Sequence, residues 1–379
     1  MQCKYFGICG SCTLYKKSYK EQLELKKNET INSFKEFGVN NIDIIASNTS
    51  HFRCRAEFRI YHIEDDISYA MNRLDRQGVV TIDSCEIVHN SIYSVMPKII
   101  DEIVDNKMLR FKLFSIEFLT SNLGEMLVTM IYHKKIDESW DEEGKKLSDK
   151  LNIKLIGRSR KVRRVLSDDF ITDEINVNGD KYRYQIYENS FIQPNCAVNA
   201  KMIGWVKSNL AGDKRDLLEA YCGHGNFTIA LSSEFNRVLA TEISKTSIKS
   251  AKINCTLNNI DSIKFIRLSA EELTEAINKK RVFTRLKDVD LDSYNFSHIF
   301  VDPPRSGLDE HSINLVKKFD NIIYVSCSQE TLKRDLKELI DEYEIINFAI
   351  FDQFAYTSHV ETGVILRKIG LIRKEKYEN

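Results

Sequence analysis

Leu217-Leu218-Glu219-Ala220-Tyr221-Cys222-Gly223-His224-Gly225-Asn226-Phe227 reads as a buried strand, a Gly-x-Gly turn and the first residues of a helix. Two glycines let the backbone turn sharply and approach a ligand closely. The stretch is not the dinucleotide fingerprint, because the third glycine is missing and Glu219 has no part in that motif. Outward from it, apolar runs at 217–221, 237–241, 263–268, 298–301, 322–325 and 360–366 alternate with helical stretches. This rhythm predicts a mostly parallel sheet with helices on both faces. Ligands of such a sheet bind beyond the carboxyl ends of the strands, so reactive side chains are expected just past each run.

They are found there. The second run ends in Ala240-Thr241-Glu242, where a carboxylate can accept hydrogen bonds from both hydroxyls of a ribose. An acidic strand, Gly-x-Gly and a Glu closing the next strand is the arrangement of S-adenosylmethionine methyltransferases. Asp302-Pro303-Pro304-Arg305 follows another run, and proline stiffens a loop that could grip a planar base. Asp-Pro-Pro also occurs in enzymes that methylate exocyclic nitrogens, so the next motif decides. It is Val325-Ser326-Cys327-Ser328-Gln329. A free cysteine is usually a core residue. Cys327, however, lies past a strand at a helix start, where the helix N-terminus can stabilise a thiolate.

Nitrogen methylation needs no thiol, whereas methylation of C5 of uracil does, because that carbon is a poor nucleophile. Thiolate addition to C6 builds carbanion character at C5. After methylation a base must remove the C5 hydrogen before the thiolate leaves. Glu361, in His359-Val360-Glu361-Thr362-Gly363, is the candidate base, with His359 as the weaker alternative.

The first half has another character. The 379 residues suggest two domains, divided as 1–180 and 181–379. Residues 15–36 have apolar positions at helical spacing among many Lys and Glu, and Phe52–Tyr61 alternates strictly, as a half-buried strand does. Further strands are expected at 114–119, 126–132 and 153–157, with a helix near 91–108, which makes the region α+β. Net charge is zero, so any nucleic-acid face must be local. Arg158, Arg160, Lys161, Arg163 and Arg164 form one candidate basic stretch, alternatively a solvated hairpin. No run is long and apolar enough to span a bilayer, and no secretion signal opens the chain, so a cytoplasmic location is expected. Nine cysteines, an odd number in a chain of that kind, make a disulfide framework an improbable reading.

Taken together the motifs resemble the RNA 5-methyluridine methyltransferase family, in its tRNA branch. The resemblance rests on Phe-Arg-x-Arg-Ala-Glu-Phe-Arg-Ile at 52–60, Tyr-His-Lys-Lys at 132–135, and Glu-Asn-Ser-Phe-Ile-Gln-Pro-Asn at 188–195. The glycine loop, the Asp-Pro-Pro-Arg loop and Phe-Asp-Gln-Phe-Ala-Tyr-Thr-Ser-His-Val-Glu-Thr-Gly at 351–363 complete it. It implies a C-terminal Rossmann-like methyltransferase domain behind an N-terminal α+β RNA-recognition domain. It also implies Cys327 as nucleophile and Glu361 as proton acceptor, with Gln193, Tyr221, Asn226, Glu242 and Asp302 holding S-adenosyl-L-methionine. Arg59, Phe114 and Phe191 match positions that grip RNA. The implied substrate is uridine 54 in the T-loop of tRNA, and the tRNA-like T-loop of tmRNA. A base hidden in a folded loop must be extruded, and aromatic and arginine side chains compensate the lost stacking.

One departure stands out. Cys3, Cys9 and Cys12 open the chain, and Cys85 follows in Ile82-Asp83-Ser84-Cys85. The ribosomal-RNA branch of the family has a similar spacing and holds a [4Fe–4S] cluster, and four thiolates also suit structural zinc. Either would pin the N-terminus to the first domain, with Cys12 close to Cys85. The competing readings are a 23S ribosomal RNA enzyme, a non-catalytic RNA-binding or folding factor, and a nitrogen-directed methyltransferase. The ribosomal branch usually carries an RNA-binding barrel before its cysteines, for which the chain leaves no room, so tRNA is expected.

Overall fold

The computed structural model describes residues 1–371 apart from Asp65 and Ala211, so the C-terminal limit of the 181–379 division lies outside the described residues. The first helix, α1 (Tyr19–Phe34), starts at a capping box in which the Ser18 hydroxyl accepts from Glu21 N–H and the Glu21 carboxylate accepts from Ser18 N–H. An amphipathic surface helix with an apolar stripe is the expectation for 15–36. The face α1 buries is instead Gln22, Lys26, Thr30 and Phe34, one residue per turn and mostly polar. A short strand, β1 (Asp43–Ile45), follows.

Next come β2 (Arg55–Ile63), β3 (Asp66–Asn72), β4 (Val79–Ile82), α2 (Asn90–Ile103), α3 (Lys107–Arg110), β5 (Leu113–Thr120), β6 (Met126–Tyr132), α4 (Glu138–Leu151), β7 (Lys154–Ser159) and β8 (Val162–Val165). They build a seven-stranded sheet in the order β4-β3-β2-β5-β6-β7-β8. Ile92, Met96 and Ile99 of α2 and Trp140 of α4 pack with Phe58, Ile116, Phe118 and Val128 on one face. The opposite face of β2 carries the exposed Glu57, Arg59 and Tyr61, as the alternation requires. The basic stretch forms the β7–β8 hairpin and is largely neutralised within the protein. Arg158 and Arg163 pair with Glu188, and Arg164 with Asp141.

The hairpin β9 (Phe170–Val177) and β10 (Asp180–Tyr187) comes next. A division at residue 180 falls at its turn, yet both strands bury their apolar side chains with the second half of the chain, through Ile171, Ile175, Tyr184 and Ile186. Then follow α5 (Cys196–Ser208), β11 (Asp216–Ala220), α6 (Asn226–Leu231), β12 (Arg237–Thr241), α7 (Lys245–Leu257), β13 (Ile263–Ile266), α8 (Ala270–Ile277), β14 (Phe296–Val301), α9 (Glu310–Val316), β15 (Asn321–Ser326), α10 (Gln329–Leu339), β16 (Tyr343–Phe351) and β17 (Glu361–Lys368).

The second sheet has the order β1-β16-β17-β15-β14-β11-β12-β13. Its strands from β11 to β15 are parallel, whereas β17 runs antiparallel to both β15 and β16. Apolar cores cover both faces, which is why β11 and β15 are buried along their whole length. Because β1 extends this sheet beyond β16, and α1 packs on the same half, the segment 19–45 belongs structurally to the second half, whereas residues 4–10 contact the first sheet.

Candidate active site

β11 lies between β12 and β14, so the chain leaves it toward opposite sides of the sheet, and a crevice opens at its carboxyl end. Tyr221 sits there at φ +64°, a left-handed conformation that a bulky side chain rarely adopts. Its hydroxyl shares a hydrogen bond with Ser312 (2.8 Å). Gly223 follows at φ +54°, and a Cβ built there would meet nothing within 4 Å. The backbone of the turn therefore borders open space. Glu242, just past β12, accepts from Gly223 N–H (3.2 Å) and Ser244 N–H (2.8 Å), which ties the turn to the neighbouring strand end. Asn226 and Asn199 exchange two amide hydrogen bonds of 2.9 Å, which hold α6 against α5.

Gln193 is buried in the segment 188–195, which is anchored at both ends. The Arg55 guanidinium donates to the carbonyls of Ser190 and Glu188. At the other end the Gln353 side chain accepts from Asn195 N–H (3.0 Å). Between these anchors Phe191 projects into solvent, 74% exposed.

Past β14 comes Asp302, and past β15 comes Cys327. β17 runs the other way, so its first residue, Glu361, lies at the same edge. Electrostatics place the three together. Burial pushes the Cys327 thiol up, with Glu361 and Asp302 adding to the rise and Arg305 opposing it. Burial raises Glu361 well above the usual carboxylate range, with Asp302 adding and Arg305 opposing. Asp302 is raised to about 7 by desolvation. The N-terminus of α10 was expected to favour the thiolate. Burial and the two neighbouring carboxyl groups act against that expectation, because both raise the thiol's pKa. A cavity of about 300 Å³ opens beside Cys327, lined also by Lys26, Thr30, Arg305, Gln329 and His359. His359, the alternative base, lines the same cavity.

Several contributors were not visible in the sequence. Lys26 of α1 forms a buried ion pair with Asp352 (2.6 Å) and also donates to the Phe354 carbonyl. Tyr19 donates to the same carboxylate (2.7 Å), and the Gln22 side chain accepts from Tyr356 N–H (2.9 Å). The Gln329 amide donates to the Thr30 hydroxyl (2.7 Å). The polar face of α1 thus holds the segment leading to Glu361 and the residues that follow Cys327. A pairing every fourth residue among Gln, Lys and Thr gave no apolar signal from which to read this.

Arg59 lies opposite Ser115 on β5, the residue after Phe114, so these two expected RNA-contacting residues come from adjacent strands of the first sheet. Cys54 and Cys196 form a disulfide with Cα atoms 6.3 Å apart, a single bond that the reading of a disulfide framework as improbable did not anticipate. It joins the start of β2 to α5, and no local pattern signals a pairing across 142 residues. Cys3, Cys9, Cys12 and Cys85 gather at one corner. Burial raises Cys12 to about 12, and Cys85, Cys9 and Cys3 all contribute. Among the described residues, however, no group of three or more His, Cys, Asp or Glu stands in a metal-holding arrangement. No helix among the described residues is long and apolar enough to cross a membrane.

A Rossmann-like sheet with an open glycine turn and an acid closing the second strand is the arrangement of an S-adenosylmethionine-dependent methyltransferase. Residues 18–369 match the family described as tRNA (uracil-5-)-methyltransferase, and the chain belongs to that family. A tRNA/tmRNA (uracil-C(5))-methyltransferase of Aliarcobacter butzleri (strain RM4018) is 54% identical over 97% of this chain and 100% of its own length. The protein of the same description from Sulfurovum sp. (strain NBC37-1) is 48% identical over the same shares. Among solved structures, a Pyrococcus abyssi tRNA (uracil-54, C5)-methyltransferase in complex with S-adenosyl-L-homocysteine shares the fold. Its TM-score is 0.73 at 22% identity, over 94% of this chain and 85% of that one.

Proposed function

We propose that this protein methylates C5 of a uridine in RNA, the T-loop uridine 54 of tRNA and its counterpart in tmRNA, in the cytoplasm. The observation that carries the reading is the convergence of Cys327, Glu361 and Asp302 at one sheet edge beside a cavity. The cofactor's turn fits: open space lies over Gly223, and Glu242 stands at the end of β12. Tyr221, Asn226, Gln193, Glu242 and Asp302 would hold S-adenosyl-L-methionine, which when bound supplies an electrophilic methyl group. Once its proton has gone to solvent, the Cys327 thiolate would add to C6 and push an electron pair toward C5. C5 would then take the methyl group, and the electron pair of the broken S–CH3 bond would stay with the cofactor's sulfur. Glu361 then accepts the C5 proton, the C5–C6 double bond re-forms, and the S–C6 bond breaks to release the thiolate. Burial raises Glu361 above the usual carboxylate range, which makes its carboxylate a stronger base for that proton. Arg59, Phe114 and Phe191 would hold the RNA, with the first sheet as the recognition unit and the second as the catalytic one.

Cys3, Cys9, Cys12 and Cys85 belong to the same reading. We propose that they hold a structural [4Fe–4S] cluster or zinc, with no step of the reaction passing through it. The gathering of four thiols supports this. Iron, sulfide and zinc analysis of anaerobically purified protein tests it, and protein free of all three would reject it. The main reading is tested by incubating the enzyme with labelled cofactor and total RNA and mapping the product. Label at the T-loop uridine is expected; label in ribosomal RNA, or on adenosine, would overturn it.

A further inference from the structure

Large aromatic side chains reach solvent around one end of the first sheet. Phe111 is 57% exposed, Tyr61 46% and Phe114 37%. Exposed aromatic groups in one place mark contact surfaces more often than accidents of packing. Here cations accompany them. Lys112 Nζ lies 5.5 Å and Lys134 Nζ 5.6 Å from the centre of the Phe111 ring. Phe114 stacks on His133 with ring centres 4.2 Å apart and planes 21° apart.

The corner is held rigidly. Phe111 closes α3 with its N–H on the Lys107 carbonyl, and Lys112 turns the chain at φ +55°. His133 N–H donates to the Lys112 carbonyl (2.9 Å), and His62 Nε2 contacts the Leu113 carbonyl (2.9 Å). Lys134 donates to the Met108 carbonyl (2.7 Å). A ring presented on such a frame binds with little ordering cost.

The corner is also continuous with the cleft. Arg55, Arg59 and Tyr61 share one face of β2, and strand geometry puts Tyr61 about 20 Å from Arg55. At its near end Arg55 grips the Ser190 carbonyl beside the exposed Phe191. The acidic groups along this face are occupied: Glu117 pairs with Arg55, and Glu57 accepts from Ser115 (2.7 Å).

We propose that the corner at Phe111 and Lys112 is a second RNA-binding element outside the cleft, taking an unstacked base on the Phe111 ring and its phosphate on Lys112. This rests on the reading of the protein as an RNA-modifying enzyme. Every base has a π-face and every nucleotide a phosphate, so a ring flanked by cations suits RNA of any sequence.

Binding of unmodified tRNA transcript, measured without cofactor, tests the surface separately from methylation. Phe111→Ala is expected to weaken binding by roughly 5- to 150-fold, and Phe111→Trp to restore it. Lys112→Gln is expected to flatten the dependence of log K on log salt by about 0.7–0.9. Neither change should alter the turnover rate at saturating tRNA. Lys98→Ala, exposed on α2, is the control and should leave binding as it is. Both mutated side chains are exposed, and melting curves check that the variants fold; should Phe111→Ala melt early, Lys112→Gln carries the test. Wild-type affinity and salt slope in both variants would overturn the proposal, whatever the methylation assay gives. A wild-type enzyme that methylates no uridine, yet binds tRNA through this corner, would instead overturn the functional reading.

Discussion

Ser326 and Thr362 face each other across the antiparallel β15–β17 pair, and the Thr362 hydroxyl donates to the Ser326 carbonyl (3.0 Å). That pairing puts the next residue of β15, Cys327, and the first of β17, Glu361, at one edge. The two groups are 34 positions apart in the chain, and only the reversed direction of the last strand joins them. Gly363 keeps the arrangement compact, because a Cβ there would lie 2.7 Å from the Phe351 ring and 2.9 Å from Trp205.

If Glu361 takes the proton, Glu361→Gln should still allow Cys327 to add to the ring but block its release. We expect turnover to fall by about 10²- to 10⁴-fold. An enzyme–RNA adduct that survives denaturation should accumulate on gels. Cys327→Ser should lose turnover without forming that adduct. Equal adduct in both variants would refute the assignment.

The Cys327 thiol has its pKa pushed up mainly by burial and then by Glu361 and Asp302. The reactive form is the thiolate, so single-turnover rate should climb between pH 7 and 9, by up to about tenfold per unit while the thiol predominates. Arg305 is the opposing influence, so Arg305→Gln should move the profile to higher pH. A rate independent of pH over this range would mean that the thiol is already ionised when RNA is bound.

Lys26→Met should destabilise the fold by about 3–5 kcal/mol, because it leaves Asp352 charged and buried without its partner. Denaturant unfolding measures this. Adding Asp352→Asn should recover part of the loss. Additive single-variant effects would show that the pair is not coupled.

Glu219 is buried in β11 and raised to about 8, chiefly by burial, and its Oε2 finds no hydrogen-bond partner among the described residues. Its unfolded value lies near 4.3. A raised acid contributes stability that is complete below the unfolded value and lost as pH rises through the folded one. Wild-type melting temperature should therefore decline between about pH 4 and 8. Glu219→Gln cannot ionise and should lessen that decline, by on the order of a few kcal/mol. Parallel pH curves for the two proteins would contradict the buried-acid picture.

Much of this was legible before any coordinates. The strands at 113–120, 126–132, 216–220 and 321–326 fall where alternation and apolar runs predicted them. Periodicity is a local property, and side chains reveal it. β16 escaped notice because its exposed and buried residues follow no clean alternation, Glu344 and Ile346 being exposed. The polar stripe of α1 escaped because buried Lys and Gln resemble a solvated face until their partners are known.

The amino-acid order alone determined the chemistry: a cysteine, an acid and a glycine turn each placed just after a run that must become a strand, because local patterning dictates where strands end. Tertiary structure decided which of these groups meet. β17 turns back to bring Glu361 to the sheet edge that carries Cys327, and burial there raises the pKa of both groups. A thiol's state depends on the charges and solvent around it, and those are supplied by residues far away in the chain.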